Sequence, residues 1–127
     1  MRSGCEILND LIGDRLDPAA FSHRDHVAAA VAAIDRHEFF EALSLYAGGL
    51  RRLTERAGVP EKFNATITMC FMSLVAEAMA VSDDKDADAL IKAHPELQNM
   101  SALGARFKKG RLLSEAARRV GLLPDAA

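Results

Sequence analysis

The chain has 127 residues, a formal net charge of −2 and 27% charged side chains. That length builds one core, a charge fraction near the globular average excludes wholesale disorder, and the slightly acidic balance excludes a strongly basic nucleic-acid binder. With 23 Ala and 15 Leu, only seven aromatic residues and no Trp, the composition predicts helices and few strands.

Taken in chain order, Ile7, Leu8, Leu11 and Ile12 predict a first helix over about Cys5–Arg15. Asp17-Pro18 marks a turn or a helix start. Ser22-His-Arg-Asp25 reads as a capping box, so a helix is expected from His23 to about Arg36. Another spans Glu38–Arg56, with Phe39, Leu43, Tyr46, Leu50 and Leu53 on one stripe and Gly58 at its C′ position. Gly48-Gly49 within it costs about 1–2 kcal/mol of helix propensity relative to Ala, which predicts a close helix crossing or a kink. Asn64 caps a largely apolar helix running to about Val81. Asp83, Asp84 and Asp86 crowd the start of a short helix that ends near Ala93, with Pro95 closing it. A last short helix starts at Ser114. The expected fold is all-α: a compact single-domain bundle of five or six helices over residues 1–127.

The beginning of the chain lacks the apolar run of a signal peptide. The most apolar stretch, Ile67–Val81, is about 15 residues long and too short for a bilayer. A cytoplasmic location is therefore expected, with neither membrane nor nucleic acid as partner. Cys5 and Cys70 form neither a zinc framework nor a C-x-x-C pair, and Cys70 reads as a core thiol. Charge is uneven: Arg106, Lys108, Lys109, Arg111, Arg118 and Arg119 make the final segment basic while the rest is acidic. This is either a patch for phosphate or an acidic partner, or a solvated tail that neutralises the body.

Asp84-Lys-Asp86-Ala-Asp88 has the rhythm of a calcium loop, but Ala89 stands at its sixth position and Pro95 at its twelfth, which excludes an EF-hand. The informative string is Phe21-Ser-His23-Arg-Asp25-His26. At about 100° per residue, His23 and His26 fall on the same arc as Val27, Ala30, Val31 and Ile34, while Arg24, Asp25, Asp35 and Arg36 face away. Two inward imidazoles three residues apart can hold a divalent metal or relay protons; equally, each can be a buried His satisfied by a hydrogen bond. On the Asn64 helix, Asn64 and Thr68 share the most apolar face, opposite Thr66, Ser73 and Glu77. If the two faces meet, His23, His26, Asn64 and Thr68 converge in an aliphatic setting, as in a small ligand pocket or a satisfied polar network.

The strings Phe21-x-His23-x-Asp25-His26-Val27 and Lys62-Phe-Asn-Ala-Thr66-Ile-Thr68 resemble two signatures of a family of small bacterial helical proteins without an assigned function. Arg111-Leu-Leu-Ser114 through Arg118, followed by Leu123-Pro124-Asp125, is similar to that family's closing segment, so the resemblance covers about residues 20–125. Its second signature usually reads K-Y-H-E-T-x-T, which implies a third His beside the first two and a metal or proton-transfer centre. Here Phe63, Asn64 and Ala65 replace Tyr, His and Glu. Asn is a poor ligand for the metals imidazole prefers.

The expected function is thus binding of a small molecule or a metal in a pocket centred on His23 and His26, with Asn64 and Thr68 as polar wall. The alternative is a noncatalytic helical interaction or structural protein with a degenerate site. Ala-rich faces with Gly48-Gly49 are compatible with a homodimer and equally with tight packing inside one chain.

Overall fold

The computed structural model describes residues 2–99 and 101–126. Helix α1 (Gly4–Ile12) begins at Ser3, whose hydroxyl accepts the Glu6 N–H, and buries Ile7, Leu8 and Leu11. It stops earlier than its apolar pattern suggests. Gly13 closes it and Asp14 takes a left-handed conformation, φ 59°, which Asp tolerates better than most residues. A 3₁₀ turn at Pro18–Ala20, capped by Asp17, leads into the next helix.

Helix α2 (His23–Arg36) has the predicted capping box: Ser22 accepts from the Asp25 N–H and Asp25 accepts from the Ser22 N–H. Every residue from Val27 to Ala33 is buried, including Ala28, Ala29, Ala30, Ala32 and Ala33. Small side chains all round let neighbours approach from several directions, so α2 forms the hub of the molecule. The chain of α1 comes so close at Gly4 that a β-carbon there would collide with the Ala28 carbonyl.

Helix α3 (Phe39–Arg56) is capped by Glu38, which accepts from the Phe40 and Glu41 N–H groups, and ends with Gly58 at φ +75°. The expected close crossing lies at Gly49, where an added β-carbon would sit 2.8 Å from Leu11 Cγ. Helix α4 (Ala65–Ala80) starts at Asn64 and buries Thr66, Thr68, Phe71, Met72, Leu74, Val75 and Ala78.

Three short helices follow: α5 (Ala87–Ala93), capped by Asp86; α6 (Ser101–Gly104); and α7 (Glu115–Arg119), capped by Ser114. The fold is all-α, with seven α-helices among the described residues where the pattern predicts five or six. The short α6 is less than two turns long, too brief to leave a periodic signature. The calcium-like acids serve structure: Asp86 caps α5 and Asp88 pairs with Arg24 of α2 at 3.0 Å. Cys70 is half-buried against the core, and burial pushes its thiol pKa up, with nearby Arg106 opposing. No helix among the described residues is long and apolar enough to cross a membrane.

Candidate functional site

The start of α2, the middle of α3 and the start of α4 surround one cavity of roughly 700 Å³. His23, His26, Asn64 and Thr68 all line it. The two helix faces carrying them therefore meet, because Val27 and Val31 of α2 and Phe71 and Val75 of α4 share one apolar core. Most of the remaining wall is aliphatic or aromatic, with Phe21, Leu50, Leu53, Phe63, Ile67 and Phe71 among its side chains.

The four polar residues differ in what they offer. His26 is half-buried, stacks on the Phe21 ring at 3.8 Å between centroids, and has Nδ1 3.1 Å from the Tyr46 hydroxyl. Burial lowers its pKa from the ordinary 6.5 to about 4; the neighbouring charge of His23 adds to this and Asp25 opposes it. At neutral pH the ring is uncharged, with Nε2 not committed to the Tyr46 bond. Tyr46 itself is 1% exposed, and burial raises its hydroxyl pKa above the usual range. The pair is neutral, and Lys62 is the cationic side chain among the residues lining the cavity.

His23 departs from the expectation of an inward-facing imidazole. It is exposed, at the cavity rim, with Nε2 2.6 Å from the Leu97 carbonyl. The physical reason is its place as the first residue of α2: the apolar arc extends past the edge of the core there, and the ring turns toward the 3₁₀ segment Pro95–Gln98. Its ring centroid lies 6.4 Å from that of His26 and 6.2 Å from that of Phe71.

Asn64 and Thr68 line the cavity with their hydrogen bonds already made. Asn64 Oδ1 accepts from the Ile67 N–H at 2.9 Å, and Nδ2 donates to the Leu112 carbonyl at 2.9 Å. Thr68 donates to the Asn64 carbonyl at 2.8 Å. Asn64 thus caps α4 and ties down the segment before α7, with both amide atoms bonded within the fold. Among the described residues no group of three or more His, Cys, Asp or Glu could hold a metal ion; His23 and His26 stand as a pair. Asp25, whose position matches the resembled motif, works as a cap.

Two contributors were not singled out from the sequence. Phe21 lies inside the informative string, and its role as the stacking partner of His26 depends on the turn before α2. Tyr46 lies on an apolar stripe, where a lone buried phenol is itself a signal: its hydroxyl needs a partner in the core. Comparison of the chain with protein-family models, with curated proteins and with solved structures finds no match.

Proposed function

We propose that this chain binds a small, largely apolar molecule in the cavity between α2, α3 and α4, with His26 as the polar anchor. The carrying observation is the combination of a mostly apolar space of roughly 700 Å³ with one neutral imidazole held in place by Tyr46 and Phe21. A few fixed polar groups in an otherwise apolar concavity are the usual make-up of a ligand site. Asn64 and Thr68 are held by bonds within the fold and shape the wall, and recognition falls first to His26, with the rim residue His23 and the lining Lys62 beside it. A ligand with an apolar body and one hydrogen-bond acceptor or donor fits this division.

The experiment is a thermal-shift screen of aromatic and aliphatic small molecules, with metal analysis of the purified protein. It is run on the native chain and on the His23→Ala/His26→Ala pair. A ligand that binds only the folded state raises Tm; the expected result is a shift in the native chain that the paired variant loses. Stoichiometric metal lost in the pair would transfer the site to the metal reading. No shift and no metal would overturn both.

A second reading is a noncatalytic helical protein whose site has decayed. It is favoured by one observation: the residue in the position of the family's third His spends both amide atoms on the fold. It predicts that Asn64→His alters stability and confers no metal binding.

A further inference from the structure

The segment from Arg106 to Ala126 is a closed loop lying over α4. Its end returns to its beginning: the Asp125 and Ala126 N–H groups donate to the Arg106 carbonyl at 3.2 and 3.1 Å, and the Asp125 carboxylate accepts from the Lys108 N–H at 2.8 Å. The Arg111 guanidinium spans the loop to the Leu123 carbonyl and to Asp125. The inner side is well defined. Phe107, Leu112 and Ala117 are buried, and Thr66 of α4 clamps the loop by donating to the Val120 carbonyl and accepting from the Leu122 N–H.

The outer side is unusual. Leu113 and Leu123 are each 75% exposed and Val120 is 54% exposed. The same loop carries Arg106, Lys108, Lys109, Arg111, Arg118 and Arg119 against only Glu115 and Asp125, and all six cations but the half-buried Arg111 are exposed. Single exposed apolar side chains are ordinary. Three large ones on a loop whose cations outnumber its acids, in a chain otherwise acidic, form a combined pattern. Nucleic acid accounts for the charge and not for the leucines, and the loop's aromatic residue, Phe107, is buried and unable to stack on a base.

We propose that the outer side of this loop docks on an anionic lipid surface. Its cations face the headgroups, and Leu113, Val120 and Leu123 enter the boundary between headgroups and acyl chains. This is attachment to a surface and needs no spanning helix. It is independent of the cavity, and it assigns a role to the basic cluster other than neutralising the body.

The test is co-sedimentation of the full chain with phosphatidylcholine vesicles, with and without phosphatidylglycerol, at low and high salt. The chain should pellet with the anionic vesicles alone and release as salt rises. Lys108→Gln/Lys109→Gln should weaken binding roughly fivefold per lysine removed. Leu113→Ser/Leu123→Ser should weaken it at unchanged charge. A short DNA duplex serves as comparator. Binding to DNA as tight as to vesicles, and indifferent to the serine pair, makes the loop a nucleic-acid surface and overturns the proposal. Failure of a natively folded chain to bind anionic vesicles overturns it as well.

Discussion

Tyr46 on α3 and His26 on α2 form a polar pair across two apolar helix faces, with 3.1 Å between the hydroxyl and Nδ1. The two partners are unequal. The Tyr46 side chain is 1% exposed and the imidazole beside it is half-buried, and both border the cavity. Removing one partner therefore differs from removing the other, because a stranded group costs its desolvation only where water cannot replace the bond.

The first prediction follows from that asymmetry. Tyr46→Phe should destabilise the fold by about 1 kcal/mol, the net value of an ordinary hydrogen bond. His26→Ala leaves the phenol unpartnered and removes the ring that stacks on Phe21, and should cost about 2–3 kcal/mol. Urea denaturation of the two variants checks the order. Equal losses would mean that water already satisfies Tyr46.

A second prediction concerns pH. The pKa of His26 lies near 4 in the folded chain, against 6.5 ordinarily. Between these values the unfolded chain binds the proton and the folded chain does not, so stability falls as pH drops. The contribution is constant above about pH 6.5, declines from there to about pH 4, and is constant again below. It amounts to at most about 3 kcal/mol. Subtracting the stability curve of His26→Gln from that of the native chain isolates it. NMR titration of the ring should show a midpoint near 4; one near the ordinary value would show that the ring is solvated.

Four of the helix starts were legible because each is written in local chemistry. Ser22, Asn64, Asp86 and Ser114 are caps whose side chains meet N–H groups a few residues on, and that needs no knowledge of the rest of the chain. The convergence of His23, His26, Asn64 and Thr68 on one space was legible only as a condition, since wheel arithmetic gives the face of a helix and not what it meets. Thr66 shows the limit. It lies on the side of α4 opposite Asn64, with Ser73 and Glu77, and nothing local says what covers that side. In the fold Thr66 is fully buried, because the loop from Arg106 to Ala126 closes over it. That contact spans more than fifty residues of sequence and has no local signature.

Thr66 and Asn64 carry the third prediction. Both hold the closing loop to α4. Thr66→Val keeps the shape but strands the Val120 carbonyl and the Leu122 N–H; a loss of about 1–3 kcal/mol is expected. Asn64→Ala removes a cap and the bond to Leu112, and should cost about 2 kcal/mol. In hydrogen exchange, both should speed the Leu122 amide more than amides of α2. Uniform acceleration would mean that the loop and the core open together.

The fourth prediction uses two neighbouring glycines that a propensity argument treats alike. In an exposed helix interior, Gly→Ala stabilises by about 1 kcal/mol. At Gly48 the nearest obstacle to a β-carbon is the end of the Arg52 side chain at 3.3 Å, which can move, so Gly48→Ala should stabilise by up to about 1 kcal/mol. At Gly49 the obstacles are Leu11 Cγ at 2.8 Å and the Leu11 carbonyl oxygen at 3.1 Å. These belong to α1, which also packs against Ala28 of α2, so relief at one crossing disturbs the other. Overpacking of this kind costs about 1–3 kcal/mol and outweighs the gain in propensity. Gly49→Ala should therefore destabilise, opposite in sign to its neighbour, in paired thermal melts. The same contact explains the bare stripe on α3 within one chain: the space a partner helix would use at Gly49 is taken by Leu11. If Gly49→Ala instead stabilised the protein as Gly48→Ala does, α1 and α3 would have to lie farther apart than this crossing places them.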